Sequence, residues 1–255
     1  KFSEVIIGLS GGIDSALVAC IAVDALGHQN VQCVMLPSKY TSEESLEDAI
    51  QCAKNLQVSP DEIAINKIVE TAEMQLDPFF KDTKKDITEE NIQSRIRAVL
   101  LMALSNKFNR LLLTTGNKSE MAVGYATLYG DMSGAFNPIK DLYKTEVYKI
   151  AEMRNEIRPL GCLGPEGNII PKNIIVKAPT AELRENQTDQ DSLPDYDILD
   201  DILFKLIEVE MSVEDIIDSG HESDWVSKIQ NLLYISEYKR RQAPPGVKIS
   251  NKNFG

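Results

Sequence analysis

The chain has 255 residues, of which 43% are hydrophobic and 26% are charged, values typical of soluble globular proteins. Its formal net charge of −12 argues against a protein built to bind nucleic acid, because phosphates require a basic surface. Apolar runs such as residues 98–104 are far shorter than the roughly 20 residues that cross a bilayer. We therefore expect neither a nucleic-acid partner nor a membrane partner.

The cysteine and histidine content excludes two common kinds of metal or redox site. The four cysteines are too widely spaced for a CxxC pair, and two histidines cannot form a three-histidine zinc site. The first residues also lack the basic start and long apolar segment of a secretory signal. We expect a cytoplasmic protein with reduced thiols at Cys20, Cys33, Cys52 and Cys162.

Apolar spacing predicts strands that alternate with helices along the first half of the chain. The predicted elements are a strand at 5–9, a helix that starts at Ile13, a strand at 31–36, a helix with a capping box of Thr41 and Glu44, a helix that starts near Thr88 and a strand at 111–115. Such alternation implies an α/β fold with a doubly wound, mostly parallel sheet flanked by helices.

The buried faces of two predicted helices follow from the spacing of their apolar residues. For the helix after Thr41, the residues predicted to be buried are Leu46, Ala49, Ile50, Ala53 and Leu56. For the helix near Thr88, they are Ile92, Ile96, Val99, Leu100 and Ala103.

The second half of the chain has a less regular pattern. Proline and glycine are frequent at residues 158–179, and residues 182–201 are acidic, so we predict loops there, over a site or a subunit contact. Helical spacing returns at residues 213–238. We expect one domain across residues 1–255, with a C-terminal helical part at about 196–242.

A glycine pair lies between the first predicted strand and the first predicted helix. Gly11 and Gly12 allow backbone angles closed to other residues and carry no side chain that would keep a phosphate away. Successive N–H groups at a helix N-terminus then form an anion site. Ser10 and Ser15 can add hydroxyl donors, whereas Asp14 either caps the helix or holds a divalent cation. A simple strand-to-helix turn is the alternative interpretation of the glycine pair.

The string Ser-Gly-Gly-Ile-Asp-Ser at residues 10–15 resembles the pyrophosphate loop of the ATP pyrophosphatase superfamily. The chain contains no Gly-Lys pair and no Gly-x-Gly, which excludes a Walker A loop and a Rossmann fingerprint. The resemblance implies an adenine nucleotide alpha hydrolase-like fold and cleavage of ATP between its α and β phosphates. A substrate oxygen is then adenylylated, and a nucleophile displaces AMP.

Further segments resemble the NAD synthetase family, in the right order and over nearly the whole chain. These segments are residues 88–97, 115–120, 129–134, 140–145, 177–183, 186–194 and 237–242. The likeness is closest to the synthetase half of the glutamine-dependent enzymes. It implies that the nicotinate carboxylate of deamido-NAD attacks ATP, and that ammonia then displaces AMP to give NAD.

The resemblance also implies which residues form the site. Residues expected at ATP are Gly8, Leu9, Ser10, Gly11, Gly12, Ile13, Asp14, Ser15, Thr115, Lys144 and Thr180. Residues expected at deamido-NAD are Asn91, Arg95, Glu120, Asp131 and Lys239. Asp14 and Glu120 are expected to bind Mg2+, which prefers carboxylate and phosphate oxygens, and to form the catalytic group together with Lys144.

Several of these residues have a purely structural alternative. A solvated position on a helix surface is the alternative for Arg95, Arg97, Lys144 and residues 239–241. A turn of the chain is the alternative for Thr115 and Asn117. We expect a structural role for Arg97, Lys118 and Arg241, and a functional role for Asp14, Glu120 and Lys144.

The resemblance is incomplete at the nicotinate end. Leu128 and Ala135 stand where the ammonia-dependent branch has a lysine and an aspartate, so those contacts cannot be transferred. The glutamine-dependent branch carries a nitrilase-like glutaminase domain, for which 255 residues leave no room, so ammonia is either free or supplied by a domain absent from this chain. By resemblance we expect a homodimer. The alternatives are another ATP pyrophosphatase-type ligase and a non-catalytic adenine-nucleotide-binding domain.

Overall fold

A parallel sheet lies at the centre of the computed structural model, which describes residues 2–254. Within that range four strands form one sheet in the order β3-β2-β1-β4. The strands are β1 (Val5–Gly8), β2 (Val31–Met35), β3 (Asp61–Glu62) and β4 (Leu111–Leu113). Val5 in β1 pairs in parallel with Val31 on one side and Leu111 on the other. This arrangement confirms the predicted α/β fold and its parallel sheet.

Helices cover both faces of the sheet. The helices are α1 (Ile13–Leu26), α2 (Glu43–Asn55), α3 (Asn66–Leu76), α4 (Ile87–Phe108), α5 (Lys118–Val123), α6 (Lys144–Glu156), α7 (Lys172–Val176), α8 (Tyr196–Phe204), α9 (Val213–Asp218), α10 (Ser223–Ile235) and α11 (Glu237–Arg240). Side chains of α1, α2 and α6 share one apolar cluster with the sheet, and side chains of α3 and α4 share another. No helix within residues 2–254 is long and apolar enough to span a bilayer.

The alternation of side chains along β1 explains why both layers form. Val5 and Ile7 belong to the cluster that contains α1, whereas Ile6 belongs to the cluster that contains Leu112 and α4. Ile6 and Ile7 are both fully buried. Burial of one aliphatic side chain contributes about 1.5–3 kcal/mol, so adjacent residues of one strand stabilise opposite faces of the sheet.

A third apolar cluster joins α5, α8 and α10. Its fully buried members include Leu199, Ile202 and Leu203 from α8 and Val226 and Ile229 from α10. α8 and α10 lie within the C-terminal helical part expected at about 196–242. The extent of the domain stays a prediction.

The start of α2 differs from the sequence prediction. Ser42 is the N-cap, and its Oγ accepts a hydrogen bond from the Ser45 N–H at 3.1 Å. The predicted capping box of Thr41 and Glu44 is therefore wrong, because the Thr41 hydroxyl instead accepts from the Ser38 N–H at 3.0 Å. Ile50, predicted to be buried, is 48% exposed.

The buried face of α4 also differs from the prediction. The helix begins at Ile87, close to the expected start near Thr88. Val99 is 67% exposed and Ala103 is exposed, whereas the polar residues Gln93 and Ser94 are buried. Apolar residues occur all around this helix, so their spacing could not select the face that packs on the sheet.

Other elements were not predicted from the sequence. β3 and α3 lie in a stretch without a clear pattern, and α6 follows a segment that we interpreted only by resemblance. The loops predicted at 158–179 and 182–201 contain α7 and the start of α8, respectively. Residues 213–238 are largely helical, as predicted, and comprise α9, α10 and the start of α11.

Candidate active site

The glycine-rich loop joins the carboxyl end of β1 to the N-terminus of α1, a usual ligand position in parallel α/β sheets. Gly11 has a φ of 84°, and a Cβ there would lie 2.1 Å from the Ser45 carbonyl oxygen, so a larger residue does not fit. The Ser15 hydroxyl donates to the Gly12 carbonyl at 3.0 Å, and the Ser10 Oγ accepts from the Gly12 N–H at 3.2 Å. These contacts give the loop a defined shape.

The three side chains expected to be catalytic meet beside this loop. Lys144 Nζ lies 2.5 Å from Asp14 Oδ2 and 3.2 Å from Glu120 Oε1. The Lys144 side chain is 3% exposed, and the side chains of Asp14 and Glu120 are 17% and 18% exposed. The fold therefore joins residues that are as many as 130 positions apart in the chain.

First turns of three helices supply these side chains: Asp14 from α1, Glu120 from α5 and Lys144 from α6. Asn117 connects two of them, because it caps α5 and contacts α1. Its Oδ1 accepts from the Glu120 N–H at 3.0 Å, and its Nδ2 donates to Asp14 Oδ1 at 2.8 Å. A lysine in a first turn opposes the helix dipole, and the two neighbouring carboxylates compensate for this.

Two carboxyl groups share the single ammonium of Lys144, and their closeness and burial shift the pKa values of Glu120 and Lys144. Burial raises the pKa of Glu120 to about 8, and the Asp14 carboxylate adds to this effect although Lys144 opposes it. Burial alone would lower the pKa of Lys144, but Asp14 and Glu120 raise it above the ordinary lysine value. Lys144 is therefore a fixed cation, and the two carboxyl groups beside it supply hard oxygen donors that fit a divalent cation such as Mg2+.

A cavity of about 320 Å3 opens above the loop and this cluster. Twelve of the residues expected in the site line it: Gly8, Leu9, Ser10, Gly12, Ile13, Asp14, Ser15, Thr115, Glu120, Asp131, Lys144 and Thr180. Apolar side chains of Met35, Leu36 and Leu101 line it as well. The mixture of apolar walls and converging polar groups is typical of a small-molecule site.

Four expected site residues lie outside this lining. Gly11 packs against Ser45 beneath the loop. The others form hydrogen bonds with nearby residues: Asn91 Oδ1 accepts from the Thr127 hydroxyl at 2.8 Å, Arg95 Nε donates to the Leu128 carbonyl at 3.2 Å, and Lys239 Nζ donates to the carbonyls of Gly124 and Ala126 at 2.7 and 2.8 Å. Their contacts fix residues 124–128, next to the cavity.

Arg97 and Lys118, for which we expected a structural role, are partly buried and fully buried, respectively. Arg97 lines the cavity and donates from Nε to the Leu36 carbonyl at 3.0 Å; burial lowers its pKa to about 10, so it stays charged at neutral pH. Lys118 is fully buried between Asp141 and Glu208, at 2.9 and 2.5 Å. The solvated position weighed for Arg97 is therefore wrong, whereas the buried ion pairs give Lys118 a structural role, as expected. The sequence signal for the burial of Lys118 was a lysine at the first position of a helix, against the dipole. Arg241 is exposed and pairs with Glu237, as expected.

A parallel sheet with a glycine-rich turn and an ionic cluster at its carboxyl edge places this chain among the α/β proteins in which that edge is the usual ligand position. A model of the NAD synthase family matches residues 1–243, and the chain belongs to this family. The glutamine-dependent NAD(+) synthetase of Rhodobacter capsulatus is 55% identical over 253 residues, which are 99% of this chain and 46% of that protein. The corresponding protein of Thermotoga maritima is 53% identical, over 100% of this chain and 43% of its own length.

Solved structures agree with this assignment. The glutamine-dependent NAD+ synthetase of Acinetobacter baumannii in complex with ADP is 45% identical, with a TM-score of 0.66 over 100% of this chain and 44% of that one. The NMN synthetase of Francisella tularensis is 26% identical, with a TM-score of 0.76 over 98% of this chain and 89% of that one. This chain thus spans less than half the length of the glutamine-dependent relatives that it matches.

Proposed function

We propose that this chain amidates deamido-NAD to NAD with ATP, Mg2+ and ammonia, and releases AMP and pyrophosphate. Family membership and the names of the relatives support this proposal. The observation that carries it is the ammonium of Lys144 shared by Asp14 and Glu120 beside a glycine-rich loop. A domain that merely holds a nucleotide does not require this costly buried arrangement.

In the proposed first step, a nicotinate carboxylate oxygen attacks the α-phosphorus of ATP. The bond from this phosphorus to the oxygen that bridges to the β-phosphate breaks, and pyrophosphate leaves with the bonding electrons. An ionised carboxylate needs this activation because it has no leaving group of its own. Residues 10–15 hold the phosphates through N–H and hydroxyl groups, and Lys144 offsets charge that develops on the phosphoryl oxygens.

In the second step, ammonia attacks the acyl carbon with its lone pair, AMP leaves with the electrons of the carbon–oxygen bond, and the nitrogen loses a proton. We propose that Thr115 and Thr180 contact ATP, and that Asp131 and Glu120 contact the dinucleotide. One wall of the dinucleotide site would be residues 124–128, which are held in place by Asn91, Arg95 and Lys239. Asp14 and Glu120 would hold Mg2+, which would neutralise phosphate charge.

A direct assay tests the proposed reaction. The chain is incubated with ATP, Mg2+, ammonium and deamido-NAD, and pyrophosphate and NAD are measured together. We expect the two products in equal amounts. A matched reaction with nicotinic acid mononucleotide in place of deamido-NAD tests the chemistry named for the Francisella tularensis relative. Pyrophosphate release without NAD would assign another acceptor, and the absence of both products would favour a nucleotide-binding domain.

The nitrogen source and assembly complete the proposal. Because the matching relatives are glutamine-dependent and about twice as long, we propose that ammonia reaches this site either free or from a glutaminase domain outside residues 1–255. We further propose a cytoplasmic homodimer. Light scattering that gives the mass of one chain, rather than twice the 28.4 kDa of the chain, would refute the dimer.

A further inference from the structure

The short helix that carries Glu120 depends on contacts with a distant part of the chain. α5 has six residues, too few for an isolated helix to be stable in water. Its position must therefore come from its surroundings. Residues 239–252, which we call the C-terminal brace, contact both ends of α5.

At the first end, Lys118 lies in a buried network that includes the brace. Its side chain is 0% exposed, and its Nζ donates to the Ser250 hydroxyl at 2.7 Å and to the Lys252 carbonyl at 2.6 Å. The carboxylates of Asp141 and Glu208 neutralise the ammonium. Asp141 also accepts from the N–H groups of Ile249 and Ser250, both at 2.7 Å. A buried lysine is thus fully satisfied only with the brace in place.

At the other end, basic side chains of α11 hold the last carbonyls of α5 and the turn that follows. Arg240 Nη1 donates to the Ala122 carbonyl at 2.8 Å, and Lys239 Nζ donates to the Gly124 carbonyl at 2.7 Å. A cation near a helix C-terminus interacts favourably with the dipole and satisfies carbonyls that have no partner within the helix.

The brace also contacts the strand-end loop that carries Thr115. The Asn137 N–H donates to the Pro245 carbonyl at 2.9 Å, and Asn137 Nδ2 donates to the Gly116 carbonyl at 2.7 Å. Gly116 precedes Asn117, whose side chain contacts Asp14 at 2.8 Å. Hydrogen bonds at Asn137, followed by the peptide bond from Gly116 to Asn117, therefore connect the brace to the ionic cluster.

We infer that the C-terminal brace positions Asn117 and Glu120 in the site, with Lys118 as the principal positioning residue. Lys118 makes none of the contacts of the ionic cluster itself; it fixes the start of α5, and α5 fixes the carboxylate. The inference rests on the proposed function for its kinetic consequence. A displacement of about 1 Å in a reacting geometry can lower turnover by about a hundredfold.

Two variants and one control test this inference. Lys118→Met removes the ammonium, and Ser250→Ala removes one hydroxyl from the brace while it keeps the buried charges. The control is Lys252→Ala, which removes an ion pair with Glu210 at the surface but retains the backbone carbonyl that faces Lys118. All proteins are assayed at a temperature at which their melting curves show them folded.

We expect kcat to fall about tenfold or more in Lys118→Met and about threefold in Ser250→Ala, with the KM for ATP within about twofold of the parent value. The phosphate loop, which binds ATP, does not contact either residue. Hydrogen exchange at residues 118–125 should become faster in both variants, and exchange in β1 should not change. Lys252→Ala should match the parent protein in every measurement.

The two readouts separate this inference from the proposed function. Unchanged exchange at residues 118–125 in Lys118→Met would overturn the brace, whatever the activity. Unchanged kcat in both variants, or a rise in the KM for ATP that accounts for the whole loss, would overturn the positioning role. If the parent chain makes no NAD, the proposed function fails, and the exchange measurement alone decides whether the brace exists.

Discussion

Replacement of Asp14 by asparagine separates the chemistry of the site from the stability of the fold. The removal of one partner from a buried ion pair usually costs about 3–5 kcal/mol, because the remaining charge is left unpaired. Here Lys144 retains Glu120 at 3.2 Å, and the variant has one carboxylate for one ammonium. Asparagine Oδ1 can also still accept from Asn117. We therefore expect the free energy of unfolding to change by about 1 kcal/mol or less.

Turnover should respond much more strongly than stability. Asp14 is one of the two carboxylates proposed to hold Mg2+, and loss of one charged group at a phosphoryl-transfer site costs about a hundredfold or more in rate. The assay is NAD formation at saturating ATP and Mg2+, together with urea unfolding of the same preparation. A kcat within about threefold of the parent value would refute this reasoning and remove Asp14 from the metal site.

Asp24→Asn is a matched control on the same helix. Asp24 pairs with the buried Arg154 through two hydrogen bonds of 2.7 and 2.8 Å. In contrast to Lys144, the Arg154 guanidinium would lose the carboxylate to which both bonds run, so the variant should lose about 3–5 kcal/mol of stability. Its turnover at a temperature where it remains folded should be close to that of the parent. The two aspartates thus predict opposite patterns of stability and activity.

Three further predictions concern the loop, the thiols and acid stability. Gly11→Ala should abolish ATP binding in titration calorimetry and lower the melting temperature, because the new Cβ would lie 2.1 Å from the Ser45 carbonyl oxygen at a φ of 84°; binding equal to that of the parent would contradict this. With a thiol reagent at pH 8, the partly exposed Cys162 should react in the folded protein, and burial, which raises the pKa of the Cys20 and Cys33 thiols to about 12, should protect Cys20, Cys33 and Cys52 until urea is added. Rapid reaction of two thiols in the folded protein would contradict this prediction. Burial opposes ionisation of Asp141, but hydrogen bonds from Lys118 and the 249–250 backbone hold its pKa below the usual value. The ionised carboxylate therefore stabilises the folded protein at neutral pH, and this contribution is lost as the pH falls below about 4. Asp141→Asn should lower the free energy of unfolding, measured with urea, by about 2–3 kcal/mol at pH 7 and by less at pH 3. An equal loss at both pH values would refute this direction of the pH dependence.

The parts of the fold set by local chemistry could be predicted from the sequence. β1, the glycine pair and α1 follow one another within 22 residues, from Val5 to Leu26. The turn between them and the anion site at the start of α1 can therefore be predicted from short-range rules. The same holds for strands β1, β2 and β4. The meeting of Lys144 with Asp14 was expected only by resemblance, because no pattern within one segment reports a contact across 130 positions.

The errors have physical causes as well. The burial of Lys118 could not be predicted because lysines are rarely buried and its partners Asp141, Glu208 and Ser250 come from three distant segments. The buried face of α4 could not be predicted because a tertiary contact places the polar residue Gln93 on it: Gln93 Nε2 donates to the Leu183 carbonyl at 2.9 Å. Polar residues that are buried by such contacts interrupt the periodicity on which sequence interpretation depends.

The N-terminus of α1 links ligand binding to the stability of the folded protein. Gly12 is the N-cap of α1, and this N-cap makes no side-chain hydrogen bond to the helix. The N–H groups in the first turn of α1 therefore lack the acceptor that a capping side chain would supply. A bound phosphate group would provide the missing acceptors. Any ligand that binds the native state alone at one hundred times its dissociation constant adds about 2.7 kcal/mol of stability. Resistance to heat or protease should therefore rise with nucleotide concentration, which makes thermal shift a simple screen for the natural ligand.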